Sequence, residues 1–124
     1  MPTGPSRTGV SNDPSVNEQF VIAFSTFPDV ETARRIAREL VESALVACVN
    51  IIPAVESIYY WKEKVETNAE SLAIFKLTSA RYSEFESRLR ALHPYDVPEV
   101  VRLNIAGGSV DYLHWIGESC RRSV

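Results

Sequence analysis

Cysteine is scarce in this 124-residue chain: only Cys48 and Cys120 occur, far apart and in no Cys-x-x-Cys pair. A disulfide framework is not expected, and reduced thiols in a cytoplasmic setting are the default. An excess of positive charge is also lacking. The 13 Lys and Arg against 16 Asp and Glu give a formal charge of −3, whereas nucleic-acid binding needs clustered cations. No nucleic-acid partner is expected. No apolar run approaches the roughly 20 residues that span a bilayer, so no membrane partner is expected either. Catalytic signatures are missing as well. There is no nucleophile with an adjacent base, no Gly-rich phosphate cradle and no carboxylate pair of defined spacing. The chain does not read as an enzyme.

What is present reads as one domain. Residues 1–17 are rich in Pro, Gly, Ser and Thr with no apolar h-region, so they read as a disordered tail rather than a secretory signal. The domain itself is assigned to 18–124. Phe20-Val-Ile-Ala-Phe24 is a short β-branched and aromatic run, a strand buried on both faces. From Val30, Ala33, Ile36, Ala37, Leu40, Val41 and Ala44 recur at helical spacing, with Asp29 as the cap. A β-rich stretch follows from Val46 to Trp61, in which Pro53 marks a bulge or bend. The polar segment 62–68 reads as a hairpin tip, and Ser71 to Leu77 as the returning strand. Arg81 to His93 is helical, with Tyr82, Phe85, Leu89 and Leu92 on one stripe and Pro94 as the stop. Val101, Leu103 and Ile105 alternate with Arg102 and Asn104, a strand with one wet face. Gly107-Gly108 turns the chain, and Ser109 caps a last helix carrying Tyr112, Leu113, Ile116 and Cys120. The order β-α-β-β-α-β-α specifies an α+β fold, the ferredoxin-like βαββαβ sandwich with an added C-terminal helix.

The second strand ends in Ile58-Tyr59-Tyr60-Trp61. Alternation sends Tyr59 and Trp61 to one face and Ile58 and Tyr60 to the other. Two layers cover only one face of a sheet, yet each aromatic can bury on the order of 150–250 Å². Either the hairpin docks on another copy of the chain, or the third helix folds back and covers it.

Five segments then carry a resemblance. Ala47-Cys-Val-Asn-Ile-Ile-Pro53, Ser57-Ile-Tyr-Tyr-Trp61, Phe75-Lys-Leu77, His93-Pro-Tyr-Asp-Val-Pro-Glu99 and Tyr112-Leu-His-Trp115 stand in the order and spacing of the CutA divalent-cation-tolerance family, which the chain resembles from Phe20 to Cys120. The resemblance implies a compact homotrimer whose hairpins continue the sheets of their neighbours. It also implies a role in tolerance of, and response to, divalent metal ions, copper above all. The chain departs from the family pattern at Glu63, where glycine is usual in the hairpin turn, and at Asp96, where Glu or Gln is usual. Where copper ligands have been proposed, a Cys and a His, this chain has Ser25 and Leu92.

A metal site of copper or zinc needs convergent donors. His93, Asp96 and Glu99 lie within seven residues and form the candidate set, although the spacing is no Cys/His signature. The plain alternative is that His93 caps its helix. Lys76 is the one charge in an apolar strand and calls for a carboxylate partner, Glu70 or Glu99. Together with Tyr59, Trp61, Tyr95 and Trp115 it marks an expected intersubunit cleft, or else a structural ion pair. Cys48 reads as a buried apolar thiol and Cys120 as the more accessible one, while His114 reads as exposed. A second functional reading is a trimeric signalling or scaffold module, like the PII family in fold, that binds a small molecule or protein partner in such clefts.

Overall fold

The computed structural model describes residues 18–124; the tail expected over 1–17 lies outside them. Four strands and three helices follow the anticipated order: β1 (Phe20–Phe27), α1 (Val30–Glu42), β2 (Cys48–Trp61), β3 (Lys64–Thr78), α2 (Tyr82–Leu92), β4 (Val101–Asn104) and α3 (Val110–Cys120). A single 3-10 turn, Ser79–Arg81, leads into α2. The sheet runs β2-β3-β1-β4 with every neighbouring pair antiparallel. α1 and α2 therefore each join two strands separated by a strand of the other unit, which is the split βαβ arrangement.

Local chemistry accounts for the elements. Asp29 caps α1 by accepting from the Thr32 amide at 2.7 Å. That bond holds its carboxyl below the usual carboxylate range. α1 then buries Ala33, Ile36, Ala37 and Leu40. It ends at Glu42, just short of Ala44, the last residue of its apolar stripe, because Ala44 adopts φ 60 and turns the chain toward β2. On the sheet, Val21, Ala23, Phe27, Ala73, Phe75 and Leu77 are fully buried. They alternate with partly exposed neighbours, so they share the face covered by α1 and α2. Phe85 of α2 meets Phe75 with ring centroids 5.0 Å apart. Arg88 binds Glu39 at 2.6 Å and links the two helices at the surface.

Three expectations are corrected. The polar segment 62–68 is not a broad tip: β3 begins at Lys64, and the turn is only Lys62 and Glu63, at φ 50 and 67. Polarity there reflects exposure of the ribbon, because two residues of left-handed conformation suffice to reverse a twisted hairpin. The Pro53 expectation holds, with the register broken between Ile52 and Val55. The fourth strand is inverted relative to its pattern. Arg102 pairs with Ala23 on the helix-covered face and lies over the Tyr82 ring at 4.6 Å. Val101 and Leu103 point to the other face and stay 49% and 56% exposed. The Tyr82 ring, the Ser79 hydroxyl and the Asn104 side chain hold the guanidinium, so the charge goes inward and the aliphatics outward. Cys120, expected to be accessible, is buried at 1% on the inner side of the last turn of α3, and burial pushes its thiol up.

The face away from α1 and α2 carries Ile22, Phe24, Leu72 and Ile74 between Leu103 and Ile52. α3 packs on β3 and β1 at one end of it, where Lys76 donates to the Tyr112 hydroxyl at 3.4 Å. It does not bury the hairpin. Tyr59 and Trp61 remain 38% and 46% exposed, and on the reverse side Ile58, Tyr60 and Val65 reach 65%, 70% and 72%.

Candidate functional site

α2 ends at Leu92 because His93 leaves helical geometry, with φ −74 and ψ 136, ahead of Pro94. His93 is 7% exposed and stacks on Phe27 with ring centroids 4.6 Å apart. Both ring nitrogens are engaged. Nε2 lies 2.8 Å from the Thr26 carbonyl oxygen, and Nδ1 accepts from the Tyr95 amide at 3.1 Å. A carbonyl requires a donor and an amide requires an acceptor, so the ring is the neutral Nε2–H tautomer. Burial lowers its pKa below the ordinary value, against a smaller opposing pull from the Thr26 bond and Glu70. His93 is therefore a splint that fastens the loop after α2 to the end of β1.

That loop forms one wall of a cavity of about 690 Å³, and the β2–β3 hairpin forms the other. Tyr59 and Trp61 enter from β2, Glu70 and Asn68 from β3, and Tyr95, Asp96 and Glu99 from the loop. Alternation puts Tyr59, Trp61, Asn68 and Glu70 on the same side of the ribbon, since Tyr59 pairs with Glu66 and Trp61 with Lys64. Two hydrogen bonds fix the walls. Tyr95 donates to Glu70 Oε2 at 2.6 Å, and the Asn68 amide donates to the Tyr59 hydroxyl. Burial first, then the Glu70 carboxylate, raises the Tyr95 pKa, so the phenol stays a donor.

Of the residues anticipated for a cleft, the fold brings Tyr59, Trp61 and Tyr95 together, with Asp96 and Glu99 beside them. Lys76 and Trp115 lie elsewhere: Lys76 sits 5.5 Å from the Tyr112 ring centroid, and Trp115 packs against that same tyrosine. Glu70, anticipated as a partner for Lys76, is held by Tyr95 instead. His114 is half-buried beside Glu118 rather than exposed. Asn68 was hidden in the supposed tip, although its even register with Glu70 in a continuous strand is the signal that places it.

Among the described residues, no group of three His, Cys, Asp or Glu side chains is arranged to hold a metal ion. Asp96 and Glu99 share the cavity wall, but the nitrogens of His93 face Thr26 and Tyr95. A closed metal centre made of His93, Asp96 and Glu99 does not fit this geometry.

Comparison with known proteins covers most of the described domain. A family model described as "CutA1 divalent ion tolerance protein" matches residues 21–119. A divalent-cation tolerance protein CutA from Thermus thermophilus is 45% identical over 98 residues, covering 79% of this chain and 95% of that protein. A chloroplastic Protein CutA 1 from Oryza sativa is 41% identical over 103 residues, 83% of this chain but 58% of the rice protein. The chain thus spans little more than half of that longer relative. The crystal structure of CutA1 from Oryza sativa superposes with a TM-score of 0.81 at 40% identity, covering 85% of this chain and 96% of that one.

Proposed function

The chain belongs to the CutA1 divalent ion tolerance family, and from that premise we propose that it acts in the cytoplasm as a homotrimer responding to divalent cations. The observation that carries this reading is the uncovered apolar face. Val101 and Leu103 at one edge and Ile52 at the other all point away from α1 and α2 and are substantially exposed. Covering the exposed half of one such side chain is worth roughly 1 kcal/mol, so the set together contributes a few kcal/mol toward association. The two sheet edges are different strands, β2 and β4. A contact between unlike edges is heterologous, and if its rotation closes it generates a ring. Three copies is the number implied by the family resemblance. The occupant of the face is thus a second copy of this chain.

The divalent cation is cargo in this reading, not a resident cofactor. With His93 engaged inside the subunit, the accessible donors at the cleft are the oxygens of Asp96, Glu99 and Glu70. Carboxylate oxygens suit hard cations and give copper no special preference. Light scattering with calorimetric titration of Cu(II), Zn(II) and Cd(II) tests both halves. A trimer that Leu103→Asp dissociates supports the assembly; a stable wild-type monomer at micromolar concentration refutes it. Unchanged metal binding in a folded His93→Ala trimer supports a structural histidine, and loss of binding restores it as a ligand.

A second reading is favoured by the size of the cavity. Its volume of about 690 Å³ far exceeds what a single ion fills and falls in the small-molecule range. In this reading the trimer is a signalling or scaffold module whose clefts take a small ligand.

A further inference from the structure

We propose that the cavity between the hairpin and the loop after α2 is a site for a small organic cation, a quaternary or protonated amine. The inference builds on the second reading above and names its ligand class. Three aromatic residues, Tyr59, Trp61 and Tyr95, and three carboxylates, Glu70, Asp96 and Glu99, line the cavity, and no Lys, Arg or His does. Ring faces attract a cation through their quadrupole, and carboxylates add a Coulomb term. An anion gains from neither.

Size separates an amine from a bare metal ion. A metal needs several donors at about 2 Å from one point, and no triad among the described residues provides that. Carboxylates spread around a mouth of this volume instead suit a charge distributed over methyl or methylene groups. The apolar part of such a ligand finds Ile58, Pro94 and Val97 in the same wall.

The cage is organised in advance. Tyr95 is held by Glu70 through its hydroxyl and by His93 through its amide, and the Asn68 amide holds the Tyr59 hydroxyl. Rings fixed in this way lose little freedom when a ligand arrives. The Trp61 ring already accepts one cation, the Lys62 ammonium of the same chain at 5.9 Å from its centroid. The indole is therefore placed where a positive charge is tolerated.

The test uses the full chain in its native assembly, with choline as the probe and 3,3-dimethylbutan-1-ol as its neutral isostere. Calorimetry and Trp fluorescence follow binding. Choline is expected to bind about tenfold tighter than the neutral isostere, the margin of a single partly desolvated cation–aromatic contact. Glu70→Gln with Glu99→Gln should narrow that margin by removing the Coulomb contribution, while leaving the circular dichroism unchanged. Trp61→Leu should weaken choline and remove the fluorescence response. Equal binding of the two probes, or binding of neither, overturns the proposal. Saturation by an anionic nucleotide in place of choline would keep a ligand-binding cleft but overturn its cation preference. Light scattering on the same samples reports assembly separately, so loss of the trimer is not confused with loss of the site.

Discussion

Replacing Glu63 by glycine should stabilise the protein, because the tip of the hairpin is strained in a way the side chain does nothing to relieve. Lys62 and Glu63 stand at φ 50 and 67, the left-handed region, and both are exposed. For an L-residue that region costs roughly 1–2 kcal/mol relative to the right-handed one. Glycine escapes this cost but loses more backbone freedom on folding, roughly 0.5–1 kcal/mol. The expected net gain for Glu63→Gly is therefore about 0.5–1 kcal/mol per subunit. Lys62 is the poorer position to change, since its ammonium lies over the Trp61 ring. With a urea m-value of about 2 kcal/mol/M, the gain corresponds to a midpoint shift of roughly 0.25–0.5 M. Protein concentration must be held constant, because assembly couples to unfolding. Glu63→Ala is the decisive control: it removes the same carboxylate but keeps the Cβ, so its effect should stay within about 0.5 kcal/mol of zero. If alanine stabilises as much as glycine, the effect belongs to the charge and the backbone reasoning is refuted.

Ser25 is fully buried and its hydroxyl has no hydrogen-bond partner. Ser25→Ala should leave stability unchanged or raise it by about 1 kcal/mol in thermal unfolding, and a clear loss would reveal a partner for that hydroxyl. His93 has a folded pKa below 6.5 because burial disfavours its charged form. The unfolded chain then binds the proton more readily, so the histidine's contribution is intact above pH 6.5 and is lost as pH falls toward the folded value. Urea midpoints between pH 7.5 and 5.5 should drop more steeply for wild type than for His93→Phe, and parallel curves would contradict a buried neutral imidazole.

Much of this architecture was legible in the chain because periodicity and punctuation agree. The α1 stripe, its Asp29 cap, the Pro53 break and the Pro94 stop each have a local cause, and each appears where its cause puts it. The failures share a different cause, which is that composition reports exposure rather than conformation. Residues 64–68 are polar yet extended, since a ribbon projecting beyond the helices has no buried face to record. His93 was legible as a helix cap. What its nitrogens do depends on Thr26, 67 positions away in the chain, and no local pattern carries that. The cavity was partly legible for the same reason. Tyr95, Asp96 and Glu99 are neighbours in sequence, whereas Glu70 joins them only through the register of β3.

The fourth strand gives the sharpest account of why the fold looks unfinished. A strand serving one domain alone would turn Val101 and Leu103 toward the helices and Arg102 toward water. Register does the opposite: Arg102 stands opposite Ala23, whose face is sealed, while Leu103 stands opposite Ile22 on the open one. Slipping the pairing by one residue would restore the ordinary arrangement and flip every side chain of β4 at once. Leaving about half of each of these two aliphatics in water costs of order 1 kcal/mol apiece, which favours that slip unless the open face is covered. The Arg102–Tyr82 contact, worth roughly 0.5–2 kcal/mol, and the bonds from Arg102 to Ser79 and Asn104 oppose the slip by a comparable amount. A covered face tips the balance toward the observed register, and the same cover accounts for Ile52, which lies on that face in the opposite edge strand.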